Sequence, residues 1–282
     1  MGSDPSDGGL EASLAAAGVR LSLNSDPTGR SAAGVATVTL DAPERRNAMT
    51  PGTWRALAAI GRALTGDIRV VVLRSEGPSF CAGLDRRMMS AEGVPGELGL
   101  VALATLDDQD LDEVIAGYQA AFTWWRRSDL VSIAAIQGHA VGAGFQLALA
   151  CDLRVLADDA VLAMRETALG LVPDLGGTKP LVDLVGYARA LEICLTGRWV
   201  AADEAASLGI ATAVVPRAEV DEAAADLAAA ILAAPRNAVV ETKALLTDAG
   251  RRTYDGQRSA ERAAQARRLR DIAGDQANQP RA

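Results

Sequence analysis

The stretch 133-IAAIQGHAVGAGFQLALACDL-153 joins a short apolar strand, a turn with three glycines and an apolar helix. Glycine lets a backbone approach a ligand closely, and the first N–H groups of a helix carry the positive end of its dipole. A second glycine-bearing turn, 79-SFCAGLDRRM-88, also follows an apolar strand. This recurrence favours an α/β fold of stacked ββα units over a simple open sheet.

Working outward, short apolar runs bounded by turn residues predict strands over Val35–Leu40, Arg69–Leu73, Val131–Ile136 and Leu153–Leu156. Thr50-Pro51 supplies a capping hydroxyl and a proline at the first helical position, and Trp54, Leu57, Ala58 and Leu64 follow as a buried stripe. Between Ser90 and Tyr118 the pattern weakens. This segment is either a flap or helix that borders a pocket or a solvated surface segment.

Composition narrows the class of protein. Hydrophobic residues make up 49% of the 282 residues and aromatics only 4%, so the core is aliphatic. A net charge of −8 argues against binding to nucleic acid or to anionic lipid, and no apolar run is long enough to predict a membrane span. Cys81, Cys151 and Cys194 lack the spacing of a metal site, and they fit a reducing compartment. We therefore expect a cytoplasmic protein with no metal.

The chain divides into three parts. Residues 1–17, rich in Gly, Ser, Asp and Ala, predict a disordered leader. Residues 18–216 form the core. Residues 217–282 form a helical tail, with helices near 218–234, 236–248 and 253–272, whose apolar surface predicts packing against a neighbouring subunit.

Several motifs in order resemble the crotonase (enoyl-CoA hydratase/isomerase) superfamily from about Leu21 to Lys243. They are 43-PERRNAM-49, 80-FCAGLDRRM-88, 138-GHAVGAGFQLALACD-152, 170-GLVPDLGGT-178 and 196-TGRWVAADEAASLGI-210. The resemblance implies a crotonase-type spiral of ββα units with a C-terminal α-helical trimerisation region, as a homotrimer or a dimer of trimers. It implies an acyl-CoA thioester substrate and no separate cofactor, since coenzyme A is part of the substrate.

The resemblance also implies an oxyanion hole, in which two backbone N–H groups hold the thioester oxygen. By motif, the donors are those of Leu84 and Ala143. A backbone donor of this kind typically contributes ~3 kcal/mol to the stability of an enolate. Further candidates for binding the substrate or its CoA moiety are Arg45, Arg46, Ala82, Gly83, Asp85, Arg86, Arg87, Gly142 and Lys243, with Asp85 also able to brace its loop.

The acid/base residues depart from the two-glutamate pattern of the family's hydratases. Gln146 stands where the first glutamate is expected, and Glu166 matches the second. An amide can orient a group but cannot exchange a proton near neutral pH. Glu166 is either the base or a surface glutamate that is paired with Arg165. Asp174 is either a second candidate base or a structural residue that caps the helix after Thr178 or braces the turn. His139 and Asp152 are expected to be structural.

Three functions remain compatible with the sequence. The first is an enoyl-CoA isomerase in which Glu166 or Asp174 shuttles a proton while Gln146 positions the substrate. The second is an enoyl-CoA hydratase of fatty-acid β-oxidation with reduced or specialised activity. The third is a non-catalytic acyl-CoA-binding protein.

Overall fold

The computed structural model describes residues 5–277. The strands are β1 (Val19–Ser25), β2 (Ser31–Leu40), β3 (Val70–Ser75), β4 (Val131–Ile136), β5 (His139–Val141), β6 (Leu153–Ala157), β7 (Val161–Ala163), β8 (Val200–Ala201) and β9 (Ala213–Val215). The helices are α1 (Pro5–Ala16), α2 (Pro51–Ala63), α3 (Leu100–Leu103), α4 (Asp108–Thr123), α5 (Ala143–Ala150), α6 (Thr178–Val185), α7 (Tyr187–Thr196), α8 (Ala202–Ser207), α9 (Val220–Ala233), α10 (Arg236–Ala249) and α11 (Tyr254–Ala277). Short 3₁₀ helices cover Pro43–Arg45, Arg86–Met89, Trp124–Arg126, Thr167–Leu169 and Arg217–Glu219.

Two sheets organise the core. The larger has six strands in the order β1-β2-β3-β4-β6-β9, parallel except for the β1–β2 pair. The smaller has the order β5-β7-β8, and Cys81 pairs with Ala140 beside it. Because β5 follows β4 and β7 follows β6, the chain passes repeatedly from the first sheet to the second. This is the predicted spiral of ββα units.

The central strands are buried on both faces. Every residue of β4 is buried, as are all but one of β3, which explains their continuous apolar sequence. Helix α2 begins as predicted, with the Thr50 hydroxyl accepting from the Thr53 N–H and Pro51 at the first helical position. The predicted stripe of Trp54, Leu57, Ala58 and Leu64 is buried, and α2 packs on α4 and on β1.

The N-terminal segment corrects one prediction. Residues Pro5–Ala16 form α1 instead of a disordered leader, and Leu14 is 2% exposed within the apolar core. The Ala17 carbonyl accepts from Thr53 Oγ1 at 3.0 Å. The prediction was wrong because Leu10 and Leu14 find a surface on β1 and α2 that composition does not reveal. Residues 1–4 lie outside the described part of the chain.

The segment between Ser90 and Tyr118 is folded against the core in its second half. Helix α4 packs on α2, with the Tyr118 ring 4.7 Å and the Phe122 ring 6.2 Å from that of Trp54. The Gln119 amide donates to the Asp174 carbonyl at 2.7 Å. Of the two sequence interpretations, a helix bordering the candidate site is the one that fits.

The three C-terminal helices are present as predicted. Helix α9 packs on the large sheet, and Arg69 donates to the Leu232 and Ala234 carbonyls at its end. Helices α10 and α11 leave Leu246, Leu269 and Ile272 more than half exposed. Within residues 5–277, no single helix has the length and apolar character of a membrane span, although 217–233 and 236–249 meet that test as a pair bent by 106°.

Candidate active site

The two glycine-bearing loops meet edge to edge. The Cys81 N–H donates to the His139 carbonyl and the Val141 N–H donates to the Cys81 carbonyl, both at 2.9 Å. A Cβ atom on Gly144 would lie 2.7 Å from the Cys81 carbonyl oxygen. Only glycine therefore fits at this crossing, and the contact fixes the two loops relative to each other.

The first loop presents the N–H of Leu84. On either side of it, the Met49 N–H donates to the Gly83 carbonyl and the Asp85 N–H donates to the Met49 carbonyl, each at 2.8 Å. Gly83 has φ +90°, and a Cβ there would lie 2.7 Å from the Val141 carbonyl oxygen. Within residues 5–277 the Leu84 N–H meets no acceptor, so it is available as a donor.

The second loop presents the N–H of Ala143, the first residue of α5. Such an N–H has no partner within its own helix and lies at the positive end of the helix dipole. Gly142 before it has φ +51°, which turns the chain into the helix. A Cβ on Gly83 would lie 3.8 Å from the Ala143 nitrogen. Both predicted donors therefore lie where the two loops cross.

Gln146 and Glu166 form a buried pair behind this crossing. Gln146 is 1% exposed and Glu166 is 8% exposed. The Gln146 Nε2 donates to Glu166 Oε1 at 2.6 Å, while Gln146 Oε1 accepts from the N–H groups of Leu175 at 2.9 Å and Gly177 at 3.2 Å. The Gln146 amide thus contacts Glu166 and the 174–177 turn, and a role of Gln146 in positioning the substrate stays a prediction.

The Glu166 carboxyl lies next to the second loop. A Cβ on Gly142 would lie 3.3 Å from its Oε1 and 3.7 Å from its Oε2. Burial raises the pKa of Glu166, and the charge of Asp174 adds to the rise, while the Gln146 hydrogen bond opposes it. Its Oε2 is buried and has no hydrogen-bond partner among the described residues. An unpaired buried oxygen is costly and is common at functional sites.

Arg165 does not neutralise Glu166. Its guanidinium donates to the Gly197 carbonyl at 2.7 Å and lies 5.7 Å from the centre of the Trp199 ring. The same ring packs edge-on against His139 at 5.5 Å. Of the two interpretations of Glu166, the ion pair with Arg165 is therefore excluded, and His139 has the structural surroundings expected of it.

Asp174 stands in a more open place. Its side chain is exposed, and the protein around it raises its pKa by desolvation. Its backbone carbonyl is held by Gln119, and Leu175 and Gly177 after it donate to Gln146. Asp174 thus belongs to the turn that supports the buried pair, and its carboxyl acts on Glu166 through charge.

Side chains within the first loop hold it in place. Asp85 is 7% exposed and accepts from Arg87 Nη2 at 2.7 Å and from the Arg87 N–H at 3.0 Å. The Arg87 side chain lowers the pKa of Asp85 through these hydrogen bonds. Asp85 therefore braces the loop, while Arg86 and Arg87 remain exposed on its outer face.

Arg45 and Arg46 differ in their surroundings. Arg46 is exposed, and its carbonyl accepts from the Ala82 N–H at 2.9 Å. The Arg45 guanidinium turns toward α1 and donates to the Ala17 carbonyl at 3.5 Å. Arg46 is therefore exposed, as are Arg86 and Arg87, whereas the Arg45 side chain contacts the backbone just after α1.

Lys243 lies away from the site. Its Nζ donates to Asp152 Oδ2 at 2.6 Å and to the Leu130 carbonyl at 2.7 Å. Leu130 precedes β4, whereas the glycine loop follows the other end of that strand, about 20 Å further along. The structure therefore does not bring Lys243 to the loops. Asp152 also accepts from the Ser132 N–H at 2.9 Å, which agrees with its expected structural role.

Sequence reasoning did not single out several supporting residues. Asn47 donates to the Glu76 carbonyl at 2.9 Å and to the Ser79 carbonyl at 3.0 Å, and it accepts from the Ala42 N–H at 2.8 Å. The Cys81 thiol donates to the Asn47 carbonyl at 3.0 Å, and burial raises its pKa to about 12. Asn47 stands in a quoted motif, but its role depends on contacts distant in sequence.

The fold and the crossed loops define a crotonase-type protein. Residues 30–273 match the enoyl-CoA hydratase/isomerase family, and the chain therefore belongs to that family. The chain is 50% identical to a solved "putative enoyl-CoA hydratase" from Thermobifida fusca YX in complex with CoA, with a TM-score of 0.85 over 94% of this chain and 97% of the other. The same protein was solved with acetoacetyl-CoA at 49% identity and a TM-score of 0.85, over 93% of this chain and 98% of the other.

The curated relatives include both proteins named as hydratases and proteins named as isomerases. "Probable enoyl-CoA hydratase 2, mitochondrial" of Arabidopsis thaliana is 33% identical over 67% of this chain and 59% of its own length. The mitochondrial Delta(3,5)-Delta(2,4)-dienoyl-CoA isomerase of Homo sapiens is 32% identical over 65% of this chain and 56% of its own length. The chain thus spans less than two thirds of the length of these relatives.

Proposed function

We propose that the protein is an acyl-CoA enzyme of the isomerase type, which moves a double bond from C3–C4 to C2–C3 of an enoyl thioester. Glu166 removes a proton from C2, and the electron pair becomes an enolate whose oxygen accepts hydrogen bonds from the Leu84 and Ala143 N–H groups. The same carboxyl returns the proton at C4, the double bond forms between C2 and C3, and the thioester carbonyl is restored. No co-reactant is required.

The observation that carries this proposal is the surroundings of Glu166. It is a buried carboxyl next to Gly142, the residue before the Ala143 donor, and its free oxygen is shielded from water. Its partner at position 146 is an amide that cannot carry a proton. A shielded carboxyl suits the return of a proton to the same substrate better than the delivery of water. The raised pKa brings Glu166 nearer to that of an effective acid/base group at neutral pH.

Three arginines support a CoA thioester as the substrate. Arg46, Arg86 and Arg87 are exposed around the first loop and can form charge-assisted hydrogen bonds with phosphates. The CoA and acetoacetyl-CoA complexes of the Thermobifida fusca relative support the same substrate class. No separate cofactor enters the proposed reaction.

The exposed apolar surface supports an oligomer, which we propose to be a homotrimer or a dimer of trimers. Helix α7 exposes Tyr187 by 70% and Leu195 by 63%, and α10 exposes Leu246 by 71%. Patches of this kind commonly mark interfaces. Light scattering on the purified protein should give a threefold or sixfold multiple of the 29.2 kDa protomer, and a monomer at micromolar concentration contradicts the proposal.

Incubation with 2-enoyl-CoA and 3-enoyl-CoA in deuterated water tests the reaction. The isomerase predicts conversion of the 3-enoyl to the 2-enoyl thioester with no 3-hydroxyacyl product. Accumulation of the 3-hydroxyacyl product from the 2-enoyl thioester would instead establish a hydratase. Binding without conversion or deuterium exchange would leave only the non-catalytic carrier.

A further inference from the structure

The side-chain amide of Gln146 can be oriented in only one way. The backbone N–H groups of Leu175 and Gly177 are donors and nothing else, so the atom that faces them at 2.9 and 3.2 Å is the carbonyl oxygen. The NH₂ group must then face Glu166, whose Oε1 lies 2.6 Å away. The backbone of the 174–177 turn thereby determines the direction of the hydrogen bond to Glu166.

This direction distinguishes the two oxygens of Glu166. Its Oε1 accepts from Gln146 in the charged form, and in the neutral form the carbonyl oxygen is the better acceptor, so this hydrogen bond favours Oε1 as the unprotonated oxygen. A proton on Glu166 is therefore favoured on Oε2, which is the oxygen without a partner among residues 5–277.

We infer that Gln146 is a positioning residue that assigns proton exchange to a single oxygen of Glu166, through a relay that runs from the Leu175 and Gly177 N–H groups across the Gln146 amide. The inference rests on the proposed proton shift by Glu166. In this role the Gln146 amide orients Glu166, which a residue that only fills the space of a carboxyl would not do.

The packing around Gln146 holds the relay rigidly. A Cβ on Gly177 would lie 2.7 Å from the Cγ and 3.0 Å from the Cβ of Gln146, so the turn and the side chain are in close contact. The Gln146 hydrogen bond also favours the charged form of Glu166 and opposes the rise in its pKa. The other titratable groups that interact with Glu166 are Asp174 and Cys194.

The test uses Gln146→Met, which keeps the length of the side chain but removes both hydrogen-bonding roles. Gln257→Met is the matched control, since Gln257 also donates and accepts through its amide, to Leu245 and from Arg252, but on α11. Two readouts are needed. The first is the pH dependence of kcat for conversion of a 3-enoyl-CoA. The second is the titration of the Glu166 carboxyl by ¹³C NMR, with the signal assigned by its loss in Glu166→Gln.

Gln146→Met should raise the titration midpoint of Glu166 by at least about one pH unit, because the charged form loses a hydrogen bond. The acid limb of the kcat profile should move in the same direction, and kcat should fall about 10–100-fold with little change in KM. Gln257→Met should change neither. A loss of activity in Gln146→Met with an unmoved midpoint would overturn the inference, since that pattern belongs to a merely structural residue.

Gln146→Glu keeps the acceptor for the Leu175 and Gly177 N–H groups, so it guards against a variant that fails to fold. It replaces the donor toward Glu166 with a second carboxyl, which should raise the Glu166 midpoint further through like charge and make hydration of a 2-enoyl-CoA measurable. An unchanged midpoint in this variant also overturns the inference. If the unaltered protein converts no enoyl-CoA, the proposed function fails, and the NMR midpoints still decide whether Gln146 controls Glu166.

Discussion

Glu166 and Asp174 are both acidic residues with a raised pKa, but their surroundings differ. Glu166 is 8% exposed, is held by Gln146 through one oxygen, and lies against Gly142. Asp174 is exposed, and it is its backbone, not its carboxyl, that the protein holds through Gln119. A raised pKa alone therefore does not identify the base. The difference in fixation favours Glu166 as the proposed base, because proton transfer requires a carboxyl at a defined place.

Replacing Glu166 should have the largest effect. Glu166→Gln keeps the shape of the side chain but cannot accept a proton, so kcat for isomerisation should fall by about 10²–10⁴-fold. Steady-state kinetics with a 3-enoyl-CoA measure this, and isothermal titration with CoA confirms that binding persists. Retention of activity within about threefold would move the role of base to another residue.

The position of the Ala143 donor comes next. In Gly142→Ala, a Cβ atom enters a residue at φ +51° and comes within 3.3 Å of Glu166 Oε1. Both the donor and the carboxyl should shift, and kcat should fall about 10²–10³-fold, as for loss of one oxyanion donor.

Gly29→Ala is the control for Gly142→Ala. Gly29 also has a positive φ, of +86°, but nothing lies within 4 Å of its added Cβ. The control variant should lose some thermal stability and keep its kcat. Equal losses of kcat in the two variants would attribute the effect at Gly142 to backbone strain in general.

Asp174 should matter less for turnover. Asp174→Asn removes a charge that raises the pKa of Glu166, so the acid limb of the pH profile should move to lower pH while kcat at pH 8 changes less than about tenfold. Steady-state kinetics over about two pH units on either side of neutrality measure both changes. A larger loss than in Glu166→Gln would reverse the comparison between the two carboxyls.

The smallest expected effect is on stability. The folded-state pKa of Glu166 is raised above its ordinary value of 4.5. The charged carboxyl therefore destabilises the folded state: the free energy of unfolding is higher below pH 4.5 and falls as the pH rises through the folded-state pKa. Glu166→Gln should therefore raise the free energy of unfolding at pH 8 by about 1 kcal/mol, and the gain should vanish near the ordinary pKa. Urea unfolding at both pH values tests this. Asp174→Asn should change the free energy of unfolding by less than Glu166→Gln does, because Asp174 is exposed.

Local sequence patterns predicted the scaffold of the site well. The strands, the Thr50 cap and the two glycine loops depend on residues that are neighbours in sequence, and the structure confirms them. The leader over residues 1–17 was predicted wrongly because a short helix gains its stability from the surface on which it docks.

The functional details depended on contacts that no local pattern contains. Gln146 accepts from Leu175, which is 29 residues away in the chain, and Lys243 is paired with Asp152 across 91 residues. The motif therefore identified position 146 as important, but the partners of Gln146 could not be predicted from it. The sequence likewise could not distinguish Arg45, which turns toward α1, from Arg46, which remains exposed.

The contact between Gly177 and Gln146 limits the order in which this site can change during evolution. Any side chain at position 177 would place its Cβ within 3.0 Å of the Gln146 Cβ and Cγ, so it is excluded while a long residue occupies position 146. A larger residue at 177 therefore requires residue 146 to shift or change, and either event alters the support of Glu166. The two positions are therefore sterically coupled, and a substitution at one of them also tests the other.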